Sequence, residues 1–361
     1  MIAKKSTIAL LILAGATSVQ AAEIYNKDGN QLLLTGAVHT RYYSSNDTSL
    51  DGNNTFIRFG FKGRTQINDW MSGYAQWETN IQANHTESGS DVQTGNATRL
   101  AYAGLNIGRY DSVDYGRNWG IDYDVASFTD YAPIFNNLTY SGGDNFMTGR
   151  GTGMLTWRNR NAYGLVKGLN LALQYQGAND DNSNNATGRP VIKQNGEGYG
   201  VSAAYNITDS ITFAGAYSSS KRTADQQELE LGKGKDAQIW TAGIKYAGPK
   251  LYMASIYAQT YNLTPIKSLG FANKTRDWEA VAGYLFDSGI KPQVGYFWSK
   301  ATQVEGYGDV ALMRYIDLAV MYYLNDNMVT YVDYKINQLG DNTALGITND
   351  NVIGFGLTYH F

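Results

Sequence analysis

Residues 353–361, Ile-Gly-Phe-Gly-Leu-Thr-Tyr-His-Phe, end the chain, and their alternation decides the fold. Ile353, Phe355, Leu357, Tyr359 and Phe361 fall on one face of an extended strand. Gly354, Gly356, Thr358 and His360 fall on the other. A period of two sends successive side chains to opposite faces. The large apolar and aromatic face suits lipid with an interfacial girdle, and the small polar face suits water. An ordinary closing strand of a soluble barrel is the alternative.

The same period recurs upstream. Leu169, Leu171, Leu173 and Tyr175 oppose Asn170, Ala172, Gln174 and Gln176. Ile211, Phe213, Gly215 and Tyr217 form another outward set. Over 329–337 the outward set reads Val329, Tyr331 and Asp333, and the pattern is less clean. Near 55–64, Ile57, Phe59 and Phe61 face one way while Arg58, Gly60, Lys62 and Arg64 face the other. A soluble sandwich also alternates, but its polar face has no reason to collect arginines in register.

The connections are asymmetric. Short turns fall at 206–210, 246–250, 286–289 and 324–327. Long polar segments fall at 44–54, 84–96, 180–198, 218–236, 261–276, 301–309 and 337–351. Short on one rim and long on the other is the pattern of an outer-membrane barrel. Counting between connections gives an all-β, antiparallel barrel of about 16 strands, a width that leaves an aqueous channel.

Composition agrees. The 361 residues include 28 Tyr and 40 Gly but only 5 Pro and no Cys. The mean hydropathy of −0.36 is low for a membrane protein, as expected when each strand gives half its residues to a wet interior. Residues 1–21 read as a cleaved export signal: Lys4 and Lys5, an apolar run over 8–16, and Val19-Gln-Ala21 as the small-x-small site. That run is too short to span a bilayer, and no later stretch makes a transmembrane helix. The mature domain is then 22–361, and loss of two lysines and no acid takes its formal charge from −3 to −5.

One segment breaks the strand rhythm. Between Asp114-Tyr-Gly-Arg-Asn118 and Gly149-Arg-Gly-Thr-Gly153 lie about thirty residues of no sustained period, where loops usually run ~4–6. Trp119, Tyr123, Phe128, Tyr131, Ile134, Phe135 and Tyr140 carry too much apolar surface for a solvated linker. The segment also holds Asp122, Asp124 and Asp130, and the flanking chain offers Arg58, Arg99 and Arg150. These features predict a loop tucked into the barrel that sets carboxylates across a wet space from guanidiniums. A surface loop over a soluble β-domain is the competing picture.

Several motifs carry a family resemblance. They are Ala22-Glu-Ile-Tyr-Asn-Lys-Asp-Gly-Asn30, Phe61-Lys-Gly63, Ala75-Gln-Trp-Glu78, Thr98-Arg-Leu-Ala-Tyr-Ala-Gly104, Asp114-Tyr-Gly-Arg-Asn118, Gly168-Leu-Asn170, Tyr331-Val-Asp-Tyr334 and Leu357-Thr-Tyr-His-Phe361. Together they resemble the general diffusion porins of enteric Gram-negative outer membranes, over the whole mature chain. The resemblance implies a homotrimer of barrels set in outer-membrane lipid and lipopolysaccharide. Each pore would be narrowed by its third loop and pass ions and small hydrophilic solutes passively.

It also implies roles. Arg58, Arg99 and Arg150 match the wall arginines, Asp130 an acid of the constriction loop, and Glu78 an acid on the adjacent wall. Glu87 matches an acid that reaches a neighbouring subunit, and Arg117 the base it meets there, which makes the pair a trimer latch. Such an ion pair alone is worth only ~0–1 kcal/mol, so the trimer must rest mainly on apolar barrel surface. This chain departs from the family at the loop tip, where Pro133-Ile134-Phe135 replaces Pro-Glu-Phe, and at Ala37 and Ala97, where lysine is common. Ile134 is grouped with the constriction, but Ile134 and Phe135 either line the gap or anchor the loop. His39 faces inward beside Ala37, as a neutral polar wall residue or as a charge added at acid pH.

No catalytic set emerges. His39, His85 and His360 are scattered, and no Ser/His/Asp group or metal spacing stands out. Gly151-Thr-Gly153 lacks the Lys-Ser/Thr of a phosphate loop. The acidic net charge argues against nucleic acid. No enzyme activity and no cofactor is expected. A barrel lipase and a substrate-specific channel are the competing functions.

Overall fold

The computed structural model describes residues 21–136, 139–180, 188–340 and 345–361, so the proposed export signal lies outside the described residues but for Ala21. Sixteen antiparallel strands form the wall. They begin with β1 (Asn30–Ser45), β2 (Phe56–Asn68), β3 (Met71–Gln82), β4 (Ala97–Ile107), β5 (Asp111–Trp119) and β6 (Arg150–Asn159). Then come β7 (Leu169–Gln176), β8 (Gly198–Asn206), β9 (Ile211–Lys221), β10 (Asp236–Ala247) and β11 (Leu251–Tyr261). The last are β12 (Lys274–Tyr284), β13 (Ile290–Val304), β14 (Gly308–Tyr323), β15 (Met328–Asn337) and β16 (Val352–His360).

Each strand pairs with the next, and β16 closes on β1 in register from Ala37↔His360 to Ser45↔Val352. Closure satisfies every ladder and leaves no open edge in lipid, where an unpaired N–H or C=O costs several kcal/mol. The first residues, Ala22–Lys27, pair with Asn30–Leu34 along the β1 edge just beyond the end of β16. The Phe361 N–H donates to Gly36 O at 3.1 Å at that junction.

The alternation sorts as expected. Phe213, Tyr217, Leu173, Phe355, Leu357 and Tyr359 are exposed on the outer face, while Ala172, Gln174, Ser218 and Thr358 are buried inside. Two expectations need correction. Val329, Tyr331 and Asp333 point inward, not outward, and Val332 is the exposed neighbour. That part of the inner wall is covered by a loop rather than by water, so it is partly apolar. Residues 301–309 are mostly strand: β13 and β14 extend past their neighbours, Val304 pairs with Gly308, and only 305–307 turn.

The main apolar core lies inside the barrel. Val125, Phe128, Tyr140 and Phe146 of the segment between β5 and β6 pack on Ala214, Ile239, Ile256, Phe297 and Tyr315 of the wall. The long segment is therefore a lumen loop. It holds one helical turn, α1 (Tyr123–Ala126), whose Val125 and Ala126 are fully buried. A second cluster of Leu231, Ile266, Ala272, Val304 and Leu345 knits the long connections together at the rim.

Candidate functional site

The loop leaves β5 and rejoins β6 through a closed neck, where the Gly120 N–H donates to Gly149 O at 2.7 Å. Beyond the neck it is fastened to the wall step by step. Gln174 of β7 accepts from the Ile121 N–H at 2.8 Å and donates to Trp119 O at 2.9 Å. Ser218 of β9 donates to Asp122 at 2.6 Å. Arg158 of β6 grips Asp124 with two N–H donors at 2.8 and 2.9 Å, and Ser202 of β8 donates to the same carboxylate at 2.5 Å.

Farther round, Glu279 of β12 accepts from the Thr139 N–H at 2.6 Å, from the Thr139 hydroxyl at 2.9 Å, and from the Thr129 hydroxyl. Tyr252 of β11 donates to Phe128 O at 2.7 Å. At the tip, Asp333 of β15 accepts from the N–H groups of Ile134 and Phe135 at 2.8 and 3.2 Å. Tyr315 of β14 donates to Phe135 O at 2.8 Å, and Arg41 of β1 donates to Pro133 O at 2.9 Å. An irregular segment cannot satisfy its own backbone, so the wall supplies the partners that burial removes from water.

Sequence reading foresaw none of Arg41, Arg158, Glu279, Tyr315 and Asp333 in these roles. The available signal was an acid on the inward phase of a strand, such as Asp277, Glu279, Asp317 and Asp333. Each of these is buried, which is rare for a carboxylate unless it has partners.

The proposed site residues separate into groups. Arg58 on β2, Arg99 on β4 and Arg150 on β6 lie within electrostatic reach of one another and of Asp130. Arg58 donates to Asn80 at 3.0 Å and sits 5.5 Å from the Phe56 ring. Arg99 is paired with Glu78 of β3 at 2.5 Å. Arg150 stacks over Trp119 at 4.7 Å, and Trp119 stacks on Tyr123 at 3.7 Å. Asp130 accepts from Tyr123 and Asn136, and burial raises its proton affinity above the ordinary carboxylate range.

Asp122 and Asp124 are on the loop but turned into the wall. Asp122 is fully buried, and desolvation pushes its pKa up to about 8. Ile134 also points at the wall, into the space above Gly354, beside Met321, Val329 and Tyr331. Of the two placements left open for Ile134, the contacts are those of an anchor. His39 faces inward, stacked on Phe56 at 4.5 Å and hydrogen-bonded to Thr358 at 3.1 Å. Arg117 forms a two-pronged pair with Asp144 of its own loop at 2.7 and 3.1 Å, while Glu87 stands exposed on the 83–96 connection.

The Gram-negative porin profile matches residues 27–361. The chain belongs to the Gram-negative porin family. This porin is 47% identical to outer membrane protein F of Serratia marcescens over 99% of its own length and the whole of that protein. It is also 47% identical to the outer membrane porin PhoE of Escherichia coli K12, with the same coverage. A solved structure of Salmonella typhi OmpF in complex with daunomycin superposes with a TM-score of 0.85 at 41% identity, covering 94% of this chain and all of that one. An anion-selective porin from Comamonas acidovorans shares the fold at a TM-score of 0.67 and 15% identity. The porin is thus an outer-membrane channel protein, not an enzyme.

Proposed function

We propose that the porin forms a water-filled pore for passive diffusion of ions and small hydrophilic solutes, with its narrowest point at the lumen loop. The carrying observation is the loop's path through the interior, bonded to strands on several sides of the barrel, with arginines of β2, β4 and β6 near Asp130. In this reading Arg58, Arg99 and Arg150 face Glu78 and Asp130 across or along the constriction. Guanidiniums stay charged at every physiological pH. Fixed charges on a narrow wall orient water and polar solutes and set ion preference, and weak sites allow solutes to leave. Apolar solutes would have to displace that ordered water.

The porin assembles in this reading as a homotrimer, with Glu87 reaching Arg117 of a neighbouring subunit. Arg117 would then share its guanidinium between the neighbour and Asp144. The exposed apolar and aromatic outer face, including Phe213, Trp240, Trp278 and Leu318, meets outer-membrane lipid and lipopolysaccharide. Residues 1–21 act as the export signal, and 22–361 form one barrel domain.

Liposome swelling with sugars of graded size tests the reading. Proteoliposomes should swell fast with small sugars and progressively slower with larger ones, without saturation. Saturable uptake of one solute class would favour a substrate-specific channel instead.

A further inference from the structure

The charges on the inner wall are not balanced in the way they meet the pore. Asp124 and Glu78 are each taken up by an arginine, and Asp122, Glu279 and Asp333 are buried behind or beneath the loop. Asp130 is enclosed by Tyr123 and Asn136. By contrast Arg41, Arg58 and Arg150 make no ion pair among the described residues; their contacts are neutral oxygens and aromatic rings.

Arg41 stands out. It donates to Tyr331 OH at 3.0 Å and to Pro133 O at 2.9 Å, and it lies 5.0 Å from the same Phe56 ring that Arg58 approaches. A guanidinium that spends its donors on a hydroxyl and a carbonyl keeps its whole charge for its surroundings. Its nearest acid influence is Asp333, fully buried, with one oxygen already holding two loop N–H groups. On the far wall, Lys245 and Lys291 are also free of ion pairs among the described residues and sit over Phe128 and Tyr131 of the loop at 4.5 and 3.9 Å.

Resting on the diffusion-pore reading above, we infer that the pore prefers small anions over cations, and that Arg41 is a selectivity-determining residue at the loop tip. Two effects meet in it. It adds a fixed positive charge to the Arg58–Arg99–Arg150 side, and it ties the loop tip to β1. Solutes favoured would carry one compact negative group, a carboxylate or a phosphate. Arg41 commits Nε to Tyr331 and Nη2 to Pro133, so part of its donor set is already in use when such a group arrives.

The test is the reversal potential of the purified protein in planar bilayers under a gradient of potassium chloride, for wild type, Arg41→Lys and Arg41→Gln. Chloride should permeate faster than potassium in wild type. Arg41→Lys should keep most of that preference. Arg41→Gln should lower the chloride-to-potassium ratio, because one unit charge at about 7 Å moves the two ions in opposite directions: roughly sevenfold in unscreened bulk water and roughly two- to threefold at about 0.1 M salt. The difference should fade toward 1 M salt, where the screening length falls to about 3 Å. A potassium preference in wild type would overturn the inference. So would equal ratios in wild type and Arg41→Gln, which would make Arg41 a tether alone. Either result leaves the channel itself standing. Absence of any conductance from folded protein would overturn the diffusion pore and the inference with it.

Discussion

Ile134 occupies the space that a side chain at Gly354 would need, so the tip of the lumen loop is seated on a glycine of the last strand. Phe135 lies 3.5 Å from the same point. Without a Cβ, β16 lets the loop approach the wall closely, and Tyr331, Val329 and Met321 complete an apolar seat. A second such contact lies at Gly283, where a Cβ would come within 2.7 Å of the Tyr131 ring. Gly354→Val should push the loop tip off the wall and into the lumen, lowering single-channel conductance while the barrel still forms. Unchanged conductance in a folded Gly354→Val protein would mean the tip is seated elsewhere.

Ile134→Glu probes the same seat from the other side. A carboxylate there would be forced against an apolar cluster beside Asp333, and burying an unpaired charge is costly. The expected result is a loosened loop with noisy, fluctuating currents. A clean shift toward cation preference with quiet currents would instead put residue 134 at the open edge of the pore.

Glu279 holds the middle of the loop. Glu279→Ala would leave the buried Thr139 N–H without a partner, at a cost of about 1–3 kcal/mol, and would remove an acceptor from the Thr139 and Thr129 hydroxyls. The loop should become open to proteases added to the purified protein, and current noise should rise. Glu279→Gln can retain the contacts to Thr139 through its carbonyl oxygen and donate to Thr129 through its amide, so it should behave close to wild type. Equal protease resistance in all three proteins would show that Glu279 is dispensable for loop attachment.

Asp122 gives the loop a pH dependence. Its pKa in the folded protein, about 8, lies above the ordinary value near 3.9. Between these values the folded state holds a proton that the unfolded state has lost, so stability falls as pH rises from about 4 to about 8. The penalty is complete above the folded pKa and is bounded by the difference between the two pKa values at about 1.4 kcal/mol per pH unit. Asp122→Asn keeps an acceptor for Ser218 and removes the titration. It should raise the melting temperature at pH 8 and flatten its slope over that window. A variant with the same slope as wild type would place the titration on another group.

The barrel was legible because strand periodicity is local. Each outward Phe213 or Leu357 reports its face from its own neighbours, and the asymmetry of turns and loops needs no contact map. The buried loop was legible too, since its aromatic content could not be left in water. What the chain did not reveal was the fastening. Thr139 and Glu279 lie 140 residues apart, and Pro133 and Arg41 lie 92 apart. Only the closed wall brings such pairs together. The same gap explains the misread face of Val329, Tyr331 and Asp333. Whether an inward side chain meets water or protein depends on where the loop runs. Ile134 was ambiguous for that reason, and the missing Cβ at Gly354 is what resolves its direction. Arg58, Arg99 and Arg150 were legible as a group, but the partition of charges into paired and unpaired was not.

The most direct measurement is stepwise conductance in planar bilayers, repeated in solutions of neutral polymers of graded size. The account predicts discrete, voltage-tolerant steps that small polymers depress by entering the pore. A size threshold should follow, above which polymers leave conductance at its bulk-scaled value, and it should move to larger polymers in Glu279→Ala. Folded protein that gives no steps, or a threshold unmoved when the loop is released, would contradict a pore narrowed by the lumen loop.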